Sequence, residues 1–373
     1  MLLLVLDERV EEGGNLDQAT RRTETAQAGS SRVMAADSAR WCPTLPCPKG
    51  TGCPDREDLR NLSRSFIFLT CALFLACSRD AEKKGKTMLL AERRKQYRRV
   101  LEGNVCIHPA SVFDAMSARM AESLGFEVGM FSGSIASGTV LGAPDLAVLT
   151  LTEFAEQIRR ITRGSDLPLM VDADHGYGNA LNVMRTVEEL ETSGVAALTI
   201  EDTVLPTPFA RPGRGLVSIE EMRGKLRGAV AARQDPSLVI VGRTSALRDA
   251  GMAEAETRLK AYQETGIDAI FLAGASRREE VEAMHRATRL PLLLGGAPPA
   301  LSDRKFLTTN GVRIALQGHQ PFYAAAKAAY DTLKYLREGG APAGLKDRVA
   351  SEELLTIALK QNDYERWQGD YLR

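Results

Sequence analysis

Leu167-Pro168-Leu169-Met170-Val171-Asp172-Ala173-Asp174-His175-Gly176-Tyr177-Gly178 runs from an apolar strand directly into two acids and two glycines. One strand later, Thr199-Ile200-Glu201-Asp202 repeats the pattern. Acids at the ends of successive apolar strands, with glycines that let backbone and ligand approach closely, suit a hard divalent cation. The chemistry that follows from such a site is metal-assisted.

Working outward, the same strand-then-helix alternation recurs along the chain. Short apolar runs occupy 105–107, 127–131, 167–171, 196–200, 238–241, 269–272, 291–294 and 313–316. Helical patterns separate them, with capping-box starts at Thr150/Glu153 and Ser218/Glu221 and glycine stops at Gly125, Gly194 and Gly266. Eight such units predict an α/β fold, a (β/α)8 TIM-type barrel, which needs about 250 residues. An open dinucleotide-binding sheet would carry GxGxxG after its first strand, and no such fingerprint is present.

The formal charge of the 373-residue chain is zero, so it carries no electrostatic footprint for nucleic acid or an anionic membrane, and a small ligand is the expected partner. Cys42, Cys47, Cys53, Cys71 and Cys77 lie early and only Cys106 lies in the body, which reads as a reduced, cytoplasmic protein. The early cysteines lack the CxxC pairing of a zinc site. Residues 1–87 are polar and broken by Pro43, Pro46, Pro48 and Pro54, so they are expected to be a disordered or mis-started extension. The apolar stretch 66–77 falls short of the about 20 residues a membrane span needs. The folded body is expected at 88–373, opening with a helix over 90–101.

In a barrel of this kind the groups that do chemistry sit just past the strands' C-terminal ends. Those positions hold Ser132-Gly133-Ser134, then Asp172 and Asp174, Glu201 and Asp202, Arg243-Thr244, and Gln317-Gly318-His319. Each has a plainer explanation. A strand-end aspartate can cap a helix, yet Asp172, Asp174 and Glu201 crowded together cost stability unless a cation joins them. Arg243 either pairs with a neighbouring acid or grips a substrate carboxylate. His319 is either a satisfied rim histidine or a functional one, His108 and His175 fit hydrogen-bonded struts, and His285 reads as surface. One rim thus holds the parts for binding a metal-chelated dicarboxylate.

The run from Asp172 to Asn179, Thr199-Ile200-Glu201-Asp202, the Ser132-Gly133-Ser134 turn and the segment Ser111 to Ala118 resemble the isocitrate lyase and phosphoenolpyruvate mutase superfamily over 90–372. Lyases of that superfamily carry a cysteine and a histidine on the loop after strand four. Here that loop reads Leu205-Pro206-Thr207-Pro208-Phe209-Ala210-Arg211-Pro212-Gly213-Arg214-Gly215, with neither, nor the lysine and asparagine of the phosphonate mutases. That departure argues strongly against an isocitrate or methylisocitrate lyase, whose cleavage requires a thiol of tunable pKa. The chain is most similar to the bacterial oxaloacetate decarboxylase branch, in which a histidine follows strand eight as His319 does.

That resemblance implies Mg2+, with Mn2+ as a possible substitute, bound directly by Asp172 and through water by Asp174 and Glu201. It implies catalytic roles for Asp172, Arg243 and His319, with Ser134, Arg243 and His319 on the substrate, and an enolate stabilised as CO2 departs. A carbon-carbon lyase, or a phosphonate mutase or hydrolase, acting on another 2-keto or 2-hydroxy acid is the alternative. A non-catalytic barrel that binds metal and keto acid is a third. Beyond strand eight, 322–336 reads as the last barrel helix and 351–360 as an apolar-striped helix followed by Tyr364, Trp367 and Tyr371. These either dock on the barrel itself or meet another subunit. Members of the superfamily exchange C-terminal helices, which implies a homotetramer built as a dimer of dimers.

Overall fold

The computed structural model describes residues 88–210 and 215–373. The expected extension at 1–87, with its apolar stretch, and residues 211–214 of the loop after the fourth strand lie outside the described residues. The chain enters through α1 (Leu90–Glu102) and then builds β1 (Ala110–Ser111), α2 (Ala115–Ser123) and β2 (Gly129–Phe131). A short α3 (Gly133–Ala136) leads into a π-helical turn at Ser137–Leu141, then α4 (Leu151–Gly164), β3 (Leu169–Asp172), α5 (Ala180–Thr192) and β4 (Ala197–Glu201). There follow α6 (Ile219–Ala232), β5 (Val239–Thr244), α7 (Ala246–Asp249), α8 (Met252–Tyr262), β6 (Ala269–Leu272), α9 (Arg278–Ala287) and β7 (Leu292–Leu294). The last elements are α10 (Arg304–Thr309), β8 (Val312–Ala315), α11 (Gln320–Arg337), α12 (Glu352–Leu359) and α13 (Gln361–Tyr371).

All eight strands are parallel and pair in chain order, which is the (β/α)8 fold. Closure differs in detail from the sequence expectation. The run at 105–107 is not itself a strand: β1 begins at Ala110, and Ile107 makes a single parallel bridge to Ile314 of β8. Ile107 N donates to Arg313 O at 2.9 Å and Ala315 N donates to Ile107 O at 3.0 Å. Pro109 lies between the bridge and β1 and has no N–H for a continuous ladder, which separates the two.

Strand alternation sorts the core into two layers. Met130, Met170, Ala197, Val239, Val241, Ala269, Phe271, Leu293 and Ile314 fill the barrel, and Tyr97 and Leu101 of α1 pack with them. Leu169, Val171, Leu198, Ile200, Ile240, Ile270 and Leu272 face outward and pack with Phe154, Ile158, Val187, Leu226 and Leu259 of the surrounding helices. Arg93 and Arg94 anchor α1 by donating to the carbonyls of Thr162, Ser165, Val195 and Glu191. The helix starts follow local chemistry. Thr150 and Glu153 form a complete capping box, whereas Ser218 accepts from Glu221 N without a reciprocal bond. Gly125, Gly194 and Gly266 turn the chain out of its helices at φ of +80°, +92° and +89°.

The region after β8 departs most from expectation. The helix α11 forms where predicted, yet none of its residues is buried, so it is not a wall of its own barrel. The shorter α12 does dock, through Arg119 Nη1 donating to Ala358 O at 2.7 Å, while Tyr364, Trp367 and Tyr371 of α13 remain exposed.

Candidate active site

The parity of the strands decides which acids reach the mouth. Met170 and Asp172, Ala197, Thr199 and Glu201, and Val239, Val241 and Arg243 share the inward face, so the apolar interior is continued upward by polar groups. In register, Asp172 sits beside Thr199 and Glu201 beside Arg243. Thr199 Oγ1 donates to Asp172 Oδ1 at 2.8 Å, and Arg243 Nη1 donates to Asp172 Oδ2. Arg243 Nε lies 3.2 Å from Glu201 Oε2, and the guanidinium carbon stands 5.5 Å from the Phe271 ring centre. Of the two alternatives for Arg243, pairing with neighbouring acids is what its contacts record.

Asp202, one residue on, takes the opposite parity and faces the helices. It is fully buried, accepting from Tyr262 Oη at 2.8 Å and Arg258 Nη1 at 3.1 Å. It belongs to the scaffold, a correction to its grouping with the rim acids.

Asp174 reaches the mouth by a different route. The loop after β3 holds Asp174 at φ +47°, Gly176 at +77° and Tyr177 at +60°. A non-glycine residue there is costly and persists only where its surroundings hold it. Here Asp174 O accepts from Glu201 N at 2.8 Å, and Lys225 Nζ donates to His175 O at 3.1 Å. Gly133 makes room for it, because a Cβ there would lie 2.6 Å from Asp174 Oδ1.

Burial raises the Asp174 carboxyl well above the usual carboxylate range, and the charges of Asp172, Asp145 and Glu201 add to the shift while Arg243 opposes it. Burial also raises Glu201, against the pull of Arg243. Arg243 itself pays for desolvation, yet Asp172 and Glu201 hold its pKa above the ordinary guanidinium value. The site therefore carries negative charge that its arginine does not fully offset.

Asp145, Asp172, Asp174, Glu201, Thr203 and Arg243 line a cavity of about 170 Å3. An adjoining one of about 230 Å3 brings Ser132, Ser134 and His319 to Asp172 and Arg243. Ser132 Oγ and Ser134 Oγ are 2.9 Å apart, and Ser132 also caps α3. His319 Nδ1 lies 2.8 Å from Ser111 Oγ, and burial lowers its pKa below the ordinary value against the opposing charge of Asp172. The six residues to which the resemblance assigns roles, Ser134, Asp172, Asp174, Glu201, Arg243 and His319, are thus brought together. His108 is a strut as expected, its Nδ1 2.8 Å from Ala315 O, and His285 is exposed. His175 is buried with no hydrogen-bond partner at Nδ1, and burial drops its pKa to about 4.

Sequence reasoning missed Asp145, Ser111 and Thr199. The stretch Gly142-Ala143-Pro144-Asp145 marks a loop but not its destination, and the other two lie within strands, where only register reveals their neighbours.

A model of the phosphoenolpyruvate phosphomutase family matches residues 99–337. The chain belongs to this family. Members similar to it include a Bradyrhizobium diazoefficiens protein named oxaloacetate decarboxylase, 52% identical over 285 residues that cover 76% of this chain and 99% of that protein. A Paraburkholderia xenovorans protein of the same name is 48% identical over 291 residues, covering 77% and 97% respectively. Among solved structures, phosphonopyruvate hydrolase in complex with oxalate and Mg++ aligns with a TM-score of 0.67 at 27% identity, covering 75% of this chain and 99% of that one. Oxaloacetate acetylhydrolase bound to the inhibitor 3,3-difluorooxalacetate aligns at 0.66 and 30% identity, covering 75% and 97%. The family resemblance carried by the acid loop and the Ser132-Gly133-Ser134 turn agrees with these findings.

Proposed function

We propose that this protein catalyses the Mg2+-dependent decarboxylation of oxaloacetate to pyruvate and CO2. The observation that carries the metal is the convergence of Asp145, Asp172, Asp174 and Glu201 on one cavity, with Arg243 as the cation on its wall. The donors are all oxygens, which suits a hard cation. Mg2+ binds few carboxylates directly and keeps several waters, so one direct ligand with two further acids beside it suits this ion. Asp172 is the direct ligand in this proposal, since each carboxylate oxygen retains a second lone pair after its bond to Thr199 or Arg243. Asp174 and Glu201 act through water. When bound, the ion supplies Lewis-acid polarisation of the substrate's C2 ketone, and Mn2+ can substitute.

The chain's own residues do the rest. Ser134 binds the C1 carboxylate end, and Arg243, held rigid by Asp172 and Glu201, presents its positive charge to that end. Both orient the C3–C4 bond toward the perpendicular of the carbonyl plane. As that bond breaks, its electron pair moves into C2–C3, and negative charge grows on the C2 oxygen. His319 is neutral at pH 7 because burial lowers its pKa, and with Nδ1 engaged by Ser111 it offers Nε2 as a hydrogen-bond donor to the growing charge. The walls of Phe271, Met130 and Leu316 limit water beside it.

Among the described residues no thiol lines the site, and Cys106 is buried elsewhere with its pKa pushed up to about 11. Identity of 52% and 48% over nearly the full length of relatives named oxaloacetate decarboxylase supports decarboxylation over the lyase and phosphonate alternatives. The exposed apolar face of α11, with Tyr330, Leu333 and Leu336, supports a homotetramer in which this helix covers another subunit. Among the described residues no helix is long and apolar enough to cross a membrane, and the sparse cysteine usage of the body, which holds Cys106 alone from residue 88 onward, supports the cytoplasm as location. The deciding assay supplies oxaloacetate with and without Mg2+ and scores pyruvate above the rate of free Mg2+ alone. Turnover unaffected by a chelator refutes the proposal.

A further inference from the structure

The cavity that holds Ser134, Asp172, Arg243 and His319 has a second guanidinium on its wall, that of Arg248 on α7. Its position has three features of a ligand-binding arm. Arg243 already shares its charge with Asp172 and Glu201, so a substrate with two carboxylates needs another cation for the second. The side chain of Arg248 lines that space and is 41% exposed, and its counterion is the adjacent Asp249, which accepts from Nε at 2.7 Å and Nη2 at 2.9 Å. An ion pair between neighbouring, partly exposed residues is weak and exchanges readily for a better-placed carboxylate. Finally, the arm lies against Gly274, just past β6, at φ +84°. A Cβ on that residue would stand 2.8 Å from Arg248 Cβ, so the slot that aims the arm tolerates no side chain.

We propose that Arg248 is the specificity-determining residue that recognises the C4 carboxylate of the substrate, selecting 2-oxo dicarboxylates over 2-oxo monocarboxylates. This rests on the oxaloacetate reading of the site. The chemistry also explains the resident Asp249. The C4 carboxylate loses its charge as it leaves as CO2, so a grip of full strength would stabilise the ground state more than the transition state. Competition from Asp249 keeps the grip partial, and a planar fork of donors still supplies the geometry for carboxylate recognition.

Calorimetric titration of the whole protein in Mg2+ with two probes tests this. One is 3,3-difluorooxaloacetate, which has the C4 carboxylate, and the other is oxalate, which mimics only the C1–C2 end. Arg248→Met is expected to weaken binding of the first by about tenfold or more and to leave oxalate within about twofold, with Arg248→Lys recovering part of the loss. Gly274→Ala, which displaces the arm without removing it, is expected to move the first probe in the same direction. Unchanged binding of both probes by Arg248→Met, or equal weakening of both, overturns the inference. Absence of CO2 release from oxaloacetate by the unaltered protein would instead strike at the proposed reaction, and the two-probe comparison would still decide the role of Arg248.

Discussion

The hydroxyl of Ser111 on β1 lies 2.8 Å from Nδ1 of His319, which follows β8, so a bond between positions 208 residues apart forms where the barrel closes. It leaves Nε2 as the ring nitrogen available to the cavity, and it assigns Ser111 a positioning role. Ser111→Ala is expected to lower kcat about tenfold with a much smaller change in KM, the size of one lost hydrogen bond. Ser111→Thr, which keeps the hydroxyl, restores most of it. Equal effects of the two substitutions on kcat would remove Ser111 from the mechanism.

Asp172 joins β3 to β5 through Arg243 and to β4 through Thr199. Asp172→Asn is expected to reduce kcat/KM at least about a hundredfold while far-ultraviolet circular dichroism stays native. Because the substitution leaves Arg243 without its closest counterion, the melting temperature should also fall. Added Mg2+ should raise the melting temperature of the unaltered protein and leave that of the variant nearly unmoved.

Asp174 retains a proton more readily than an ordinary carboxylate, because it is buried among Asp172, Asp145 and Glu201. A bound cation favours the ionised form, so Mg2+ binding should release protons and Mg2+ affinity should rise with pH. Titrations in two buffers of different ionisation enthalpy read the proton count directly. An apparent enthalpy independent of the buffer contradicts this account.

His175 has its pKa lowered by burial to about 4, from an ordinary value of 6.5. Between those values the unfolded chain binds the proton and the folded chain does not, so stability rises with pH across this window. The cost of protonation accrues as pH falls below 6.5 and levels off near 4, reaching roughly 3 kcal/mol. Asp174, whose pKa is raised, acts with the opposite sign. Chemical denaturation of the protein and of His175→Asn at several pH values isolates the histidine, and the two curves should converge as pH falls.

The helix α11 exposes Tyr323, Tyr330, Leu333 and Leu336 and buries nothing. Sedimentation equilibrium is expected to report a tetramer. Leu333→Glu together with Tyr330→Glu should shift the population toward smaller species, and a monomer in the unaltered protein refutes the assembly.

Much of this molecule is legible in local sequence because local physics dictates it. Short continuous apolar runs alternating with helical patterns marked seven strands within a few residues, and Thr150, Gly125, Gly194 and Gly266 set helix boundaries through bonds and dihedral angles of their own segments. The strand-end rule then pointed to Asp172, Glu201, Arg243 and His319 before any contact between them could be known. Pro109 shows how one residue blurs the picture, by splitting the first apolar run from the strand that follows it.

What only the tertiary structure decided is a matter of direction and of neighbours far along the chain. A one-residue step along β4 turns Glu201 into the mouth and Asp202 into a buried network with Arg258 and Tyr262, because side chains alternate across the sheet and register is set by the adjacent strands. The left-handed turn at Asp174, the Ser111 bond to His319 and the arrival of Asp145 and Arg248 at one cavity depend on how eight strands close on each other. Composition and periodicity specify which residues prefer a strand, a turn or a cap. Which of them share a cavity is settled by packing across the barrel, since those contacts join segments that the chain itself keeps far apart.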